Sequence, residues 1–478
     1  MAYAVNPYLP PWEYIPDGEP RQFGDRIYVY GSHDRFNAPI FCVEDYVCWS
    51  APVEDLSDWR CEGVIYRKNQ DPKNPLGLRL LFAPDVVQGT DGRYYLYYAF
   101  DFWGLMGVAV CDTPAGQYEF LGHVRHGDGT LWGRRKGDHF PFDPGVLVDD
   151  DGRVWLYSGF SNPVSPITTG GVALRTDGGV VAELASDMCT LLTEPKLIFP
   201  KSGEGSYPEH EFFEASSIRK ETDQYLFVYS SRHNHELCYA YSHRPDGDFQ
   251  FGGTLVSLGD LFLNGRGEER DGVNYLGNTH GGLLHLQEKW YIFYHRQTNR
   301  HSFSRQACAE ELTRTPEGAF LQAEVTSCGL NGGPMPGEGI YDARIACNLW
   351  SEEGVGRYDG LLPRLQLRRH PYITQRGKGK NAQQFIANMR GGAVAGFKYF
   401  RFSDTKAVDL TLCGKGEGLV QISITPDFSE ICGEALVRVQ KKRRKIPVPC
   451  QIPEGVHPLY VRFLGRGYVH FWRFSIRK

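Results

Sequence analysis

A chain of 478 residues is longer than one hydrophobic core normally serves, so two domains are expected. Its 41% apolar and 23% charged residues are those of an ordinary globular protein, and a net charge of −5 offers no footing for nucleic acid or an anionic membrane. No apolar run is long enough to span a bilayer, and the 12 cysteines show neither a CxxC pair nor metal-ligand spacing.

The N-terminal segment, residues 1–16, has no basic stretch followed by an apolar one, so it does not read as a secretion signal. Together with scattered cysteines this predicts reduced thiols and a cytoplasmic protein. From residue 24 to residue 297 one pattern recurs: a turn, a few strand-forming residues, then Tyr. The copies are GDRIYVYGSHD, DGRYYLYYAFD, DGRVWLYSGFS, TDQYLFVYSSRH and QEKWYIFYHRQ, with Tyr30, Tyr97, Tyr157, Tyr229 and Tyr294 in common. Each reads as a strand entered from a hairpin. The intervals of 67, 60, 72 and 65 residues suit a four-stranded sheet with its loops. Five repeats of that kind predict a five-bladed β-propeller. The tyrosines themselves are expected to pack between blades.

A titratable residue lies 12 to 15 positions before every one of these tyrosines: Asp17, Asp85, Asp143, Glu214 and His280. The strand that opens each blade lines a propeller's central channel, so these five side chains are expected to converge on one axial pocket. Carboxylates crowded together are costly unless they are paired or used. Glu19, two residues after Asp17, reads as a solvated loop residue.

These same segments carry a family resemblance. NPYLPP with PDGEP, APD-VV, FDPGVLVDDDGRVWLY, FFEASSIRK, and THGGLL with WYIFYHRQT occur in an order and spacing similar to glycoside hydrolase family 43, over roughly residues 4 to 325. The resemblance implies a five-bladed propeller whose members act with inversion on xylosides, arabinofuranosides, arabinan or galactosides. It implies Asp17 as general base, Glu214 as general acid, and Asp143 as the carboxylate that tunes the acid and orients the sugar. It also implies a substrate-binding role for Asp85 and Arg296, with Phe82 replacing a family Trp in the sugar-facing wall. His280 is implied to help hold a hydrated calcium ion; no organic cofactor is expected.

The chemistry explains why such residues are wanted. An inverting glycosidase sets an acid and a base on opposite faces of the sugar, about 6.5–9.5 Å apart, with room for water. The acid must keep its proton near neutral pH. Phe212 and Phe213 beside Glu214, with the charge of Asp143, would raise its pKa. The sequence around 209–214, EHEFFE, has metal-ligand residue types but lacks the second His of a zinc-hydrolase helix.

Residues 329–339, GLNGGPMPGEG, read as a Gly/Pro-rich connector. The segments after it alternate like strands and predict a jelly-roll β-sandwich. That places domains at 1–328 and 340–478. The second resembles family 6-type carbohydrate-binding modules; its Tyr399 and Trp472 are expected in the core or at the domain interface. A structural lid or a dimerising role is expected for it, and the second would make the protein a homo-oligomer. The function expected is exo-acting release of terminal xylose or arabinofuranose from oligosaccharides. The competing readings are an endo-arabinanase or galactosidase of the same fold, and a non-catalytic glycan-binding propeller, which would lack one of the three carboxylates.

Overall fold

The structure, a computed structural model, describes residues 4–358 and 369–478. The first three residues of the N-terminal segment lie outside it. The described residues are nearly all β, with helix confined to single 3-10 turns.

The five repeats form five antiparallel sheets. Blade 1 comprises Glu19–Phe23, Arg26–Tyr30, Tyr46–Pro52 and Arg60–Tyr66, and blade 2 Leu81–Gln88, Tyr94–Phe100, Met106–Cys111 and Glu119–His123. Blade 3 comprises Gly145–Val148, Val154–Phe160, Gly178–Leu184 and Lys196–Pro200, and blade 4 Phe212–Glu221, Gln224–Ser231, Glu236–Ser242 and Gln250–Ser257. Blade 5 has three strands, Leu283–Leu286, Lys289–Thr298 and His301–Leu312. The first strands of the blades touch in a closed ring, 1 to 2 to 3 to 4 to 5 and back to 1, which places them around the propeller axis. The N-terminal segment closes the circle from outside. The Asn6 side chain exchanges two hydrogen bonds with the backbone of Ala309, at 2.9 and 3.0 Å, and Tyr8 N–H donates to Ala307.

The repeated tyrosines explain the register between blades. All five are buried. The hydroxyls of Tyr30, Tyr97 and Tyr157 donate to Pro114, Met188 and Pro245, at 2.7, 2.7 and 2.5 Å. Each of those carbonyls belongs to the turn between the third and fourth strands of the following blade. A buried phenol needs an acceptor, and a neighbouring blade held in one position supplies it. In blades 4 and 5 the acceptors are the His210 carbonyl and Glu310.

Beyond the propeller, ten strands among the described residues hydrogen-bond as one continuous sheet around a main core with two smaller clusters at Trp472 and Tyr460, and the long antiparallel pair Ala407–Ser423 and Gly455–Arg477 is its spine. The Gly/Pro-rich segment is part of this unit rather than a free tether: Met335–Pro336 pair in parallel with Phe400–Arg401. Trp472 is buried, stacked on Phe385 at 4.0 Å with its indole N–H directed at Cys413 Sγ. Tyr399 stands at the domain interface, its hydroxyl donating to Glu324 at 2.6 Å. Beside it Lys398, buried, joins Asp260 and Glu324 at 3.0 and 2.9 Å.

Candidate active site

Asp17, Asp143 and Glu214 meet in one cavity of about 220 Å³ on the propeller axis. Asp17 and Asp143 lie in the segments leading into the first strands of blades 1 and 3, both with left-handed backbone, φ 57° and 46°. Glu214 lies in the first strand of blade 4 at a register shift, and the next residue, Ala215, has φ 72°. Non-glycine residues occupy that conformation at a cost, and a strand that breaks its pairing re-aims a side chain.

Asp17 Oδ1 accepts from Arg305 Nη1 at 2.9 Å. The same guanidinium is tied from behind by Asp34, at 2.9 and 3.1 Å, so its fork is fixed. Asp17 N–H donates to His295 Nδ1 at 3.2 Å. That nitrogen therefore carries no proton, and burial and Arg305 hold His295 well below its ordinary pKa. Asp143 Oδ2 accepts from Ala215 N–H at 3.1 Å. Burial, then Glu214, then Asp17 raise Asp143 well above the carboxylate range. Glu214 opens partly to the cavity but is otherwise walled by protein. Burial and the charge of Asp17 push it up to about 8, against Arg305. Carboxyls this closely coupled titrate as a set, so the cluster retains a proton at neutral pH.

Phe41, Phe82, Phe102, Phe142, Phe160 and Phe213 form the aromatic part of the wall, and Asn162, Asn234, Asn278 and Ser302 a polar part. Phe102 and Phe142 stack at 5.7 Å, and Phe160 meets Phe213 at 5.5 Å. Phe82 thus sits in the aromatic wall as expected. Alternation along the strand splits the two phenylalanines before Glu214: Phe213 faces the cavity, while Phe212 packs between blades 3 and 4 against Phe199.

Two expected substrate contacts belong elsewhere. Asp85 does not reach the cavity. Strand pairing sets it opposite Tyr97, as Glu19 is set opposite Tyr30, so Asp85 is the counterpart of Glu19, two residues deeper than Asp17. Ala83 takes the cavity position in blade 2. Asp85 is fully buried, bound by Arg21 at 2.5 and 3.0 Å and by Val146 N–H at 2.8 Å. Glu19, which the sequence suggests is solvated, is buried beside it and accepts from Arg219 at 2.8 Å and Ser217 at 3.1 Å. Burial raises its pKa, while Arg219 and Arg21 oppose the rise.

Arg296 points away as well. Its guanidinium donates to the carbonyls of Ala346 and Arg344, at 2.9 and 2.6 Å, and so fastens the C-terminal unit to blade 5. The residue before it, His295, faces Asp17, because successive side chains of a strand take opposite faces. Sequence reasoning misses Arg305, His295, Asn234 and Asn278. Arg305 has one legible signal: a lone cation inside the strand His301–Leu312, most of which is buried.

His280 lines the cavity, with Nδ1 3.6 Å from Asp143 and 4.0 Å from Asp17. Burial lowers its pKa to about 4, so the ring is neutral. Its Nε2 is buried without a hydrogen-bond partner among the described residues, as is Glu19 Oε1. A neutral imidazole nitrogen in that state suits a water of a hydrated cation. A separate group, His210, Glu236 and Cys238, brings metal-ligating atoms within 4.8 Å of one another. Ser231, Thr254 and His210 already bond both oxygens of Glu236, which reads as a closed structural network.

Comparison with known proteins agrees with this geometry. The model of glycosyl hydrolases family 43 matches residues 15–320. A xylosidase/arabinosidase from Thermoclostridium stercorarium is 46% identical over 476 residues, 98% of this chain and 98% of its own. Xylosidase/arabinosidase 43A from Humicola insolens is 28% identical over 323 residues, 59% of this chain and 88% of its own. Two solved structures share the fold. One is a Bacillus subtilis arabinoxylan arabinofuranohydrolase in complex with cellotetraose, with TM-score 0.51 and 18% identity, covering 99% of this chain and 97% of its own. The other is a β-xylosidase/α-arabinofuranosidase from a compost metagenome with xylotriose, in a calcium-free form. Its TM-score is 0.52 at 24% identity, covering 68% of this chain and 98% of its own. The family match spans all three carboxylates and the 46% identical relative spans both domains: the chain belongs to glycosyl hydrolases family 43 and is a glycosidase.

Proposed function

We propose that this glycosidase releases terminal xylose or arabinofuranose from hemicellulose-derived oligosaccharides, with inversion at the anomeric carbon. One observation carries the reading: three carboxyl groups share one small cavity, and only Asp17 among them bonds a guanidinium. Asp17, with Arg305 against it, is the base that takes a proton from the attacking water. Glu214, holding its own proton up to about 8, is the acid that protonates the departing oxygen. Asp143, beside them, orients the sugar, while the charge that raises Glu214 is that of Asp17.

The volume of about 220 Å³ is below the ~300–1,000 Å³ usual for larger ligands, which favours one terminal sugar over the middle of a chain. The phenylalanine wall offers apolar faces to a sugar ring. The names of the relatives supply the choice of pentose. A calcium ion would be held through its water at His280 Nε2, where its positive charge would favour the ionised form of Asp143.

The test is an NMR time course on aryl β-xyloside and aryl α-L-arabinofuranoside, with and without chelator. The expected first product has the inverted configuration. Product formed first with retained configuration would rule out these roles.

A further inference from the structure

The polar side chains of the carboxylate cavity differ in how they are held. Ser302 gives its hydroxyl proton to the Tyr358 carbonyl. Asn162 is exposed, and Asn234 Oδ1 has no partner among the described residues. Asn278, half-buried, is clamped by a second side chain. The clamp is Gln297, which is fully buried. Its Nε2 donates to the Asn278 backbone carbonyl and, at 2.8 Å, to the Asn278 side-chain Oδ1.

These two bonds fix the direction of both amides. A backbone carbonyl can only accept, so the end of Gln297 that meets it is the NH2. An NH2 needs an acceptor, so Asn278 turns its oxygen to Gln297 and its own NH2 away from it. No group among the described residues accepts from that NH2.

The surroundings are built for this clamp. Gly277 lies against the Gln297 amide, and a Cβ there would collide with it. Thr279 N–H donates to the Asn234 carbonyl at 3.0 Å and Thr279 Oγ1 to the His295 carbonyl at 3.3 Å, which pins the residue after Asn278. Gln297 shares a strand face with His295, so the strand that supports Asp17 also supports Asn278. Gln297 Oε1 is buried without a partner among the described residues. An unpaired buried acceptor is costly, so Gln297 is placed for the bonds its NH2 makes.

We propose that Asn278 binds substrate, its NH2 donating to one hydroxyl of the sugar in the carboxylate cavity, and that Gln297 is the positioning residue that aims this donor. The proposal rests on the reading of the cavity as a site for a terminal sugar. A hydroxyl donates and accepts at once. Ionised carboxylates only accept, and Arg305 is already bonded to Asp17 and Asp34, so Asn278 supplies a donor that the cavity otherwise lacks.

The test uses the full chain, the aryl pentoside it hydrolyses best, and analogues that each lack one sugar hydroxyl. Asn278→Ala is expected to lower kcat/KM on the parent substrate about fivefold to tenfold, the size of one neutral hydrogen bond. On one analogue, the one missing the hydroxyl it binds, it should stay within about twofold of the wild type. Gln297→Met, similar in volume, is expected to show the same pattern and to add nothing when combined with Asn278→Ala. An unchanged parent rate in Asn278→Ala, or an equal loss on the parent and every analogue, would overturn the binding role. Losses that multiply in the double variant would overturn the positioning role. Should Gln297→Met fail to fold, Asn278→Ala at its half-buried position decides the proposal. A wild type inactive on pentosides but active on an aryl β-galactoside would defeat the proposed pentose, and the analogues of that galactoside would then decide on Asn278 by the same criterion. A wild type inactive on every aryl glycoside would defeat both.

Discussion

Two sets of buried carboxylates sit on the same propeller axis, one above the other, and they differ in how their charge is met. In the lower set Glu19 and Asp85 face Arg219 and Arg21, one guanidinium for each carboxylate. In the upper set Asp17, Asp143 and Glu214 share the single Arg305, which is also claimed by Asp34. Burial alone therefore does not mark the reactive groups. A carboxylate matched by its own cation is a structural brace. Three that outnumber their cation must hold a proton among them, and a held proton is what acid catalysis needs.

The largest test of that contrast is removal of the proposed base and acid. Asp17→Asn and Glu214→Gln are each expected to lower kcat by about 10²–10⁴ with an unchanged circular dichroism spectrum. A variant that keeps wild-type turnover would take that residue out of the mechanism. Asp85→Ala is expected to behave in the opposite way. It strands Arg21 in the interior and should cost about 3–5 kcal/mol in denaturant unfolding, while the activity of the folded fraction stays near wild type. Loss of turnover in folded Asp85→Ala would merge the two layers into one site.

Arg305→Lys joins the two behaviours, because the fork that orients Asp17 also neutralises Asp34. A fall in kcat of about tenfold to a hundredfold is expected, together with lower stability. The alkaline limb of the pH profile is a subtler readout. Glu214 holds its proton below about 8, so kcat/KM should fall as the pH rises through that value. The smallest effect concerns stability. The folded chain keeps a proton on Glu214 that the unfolded chain releases between the ordinary carboxylate pKa and about 8. Wild-type stability should therefore decline as the pH rises across that window. Glu214→Gln lacks that decline and is expected to be the more stable protein at pH 8 by about 1–3 kcal/mol. A parallel pH dependence in both proteins would show that Glu214 is not the group that holds the proton.

Much of the fold and of the site is legible in the amino-acid order. The tyrosine repeat announces five sheets, because a turn followed by strand formers is a local signal. The family-like motifs point to Asp17, Asp143 and Glu214, which do share one cavity with Phe82 and His280. Counting back from the tyrosines, however, treats two layers as one. A spacing that varies from 12 to 15 residues spans two strand steps, which keep a side chain on the same face but set it one layer deeper along the axis. Asp85 falls into the lower layer for that reason, and Glu19 is its partner there. Arg296 is one residue away from His295, which faces the site, and a single step on the strand Lys289–Thr298 separates the two roles.

The sequence by itself determined the number of blades, the order of the strands and the residue types from which the proposed acid and base are drawn, since all of these are written in local pattern. Tertiary structure alone decided which carboxylate receives a cation. Arg305 is 288 residues from Asp17, and Arg219 is 200 from Glu19. Pairing at that range follows from closure of the ring, which local spacing does not encode, and on this axis the pairing separates a brace from the carboxylates proposed to react.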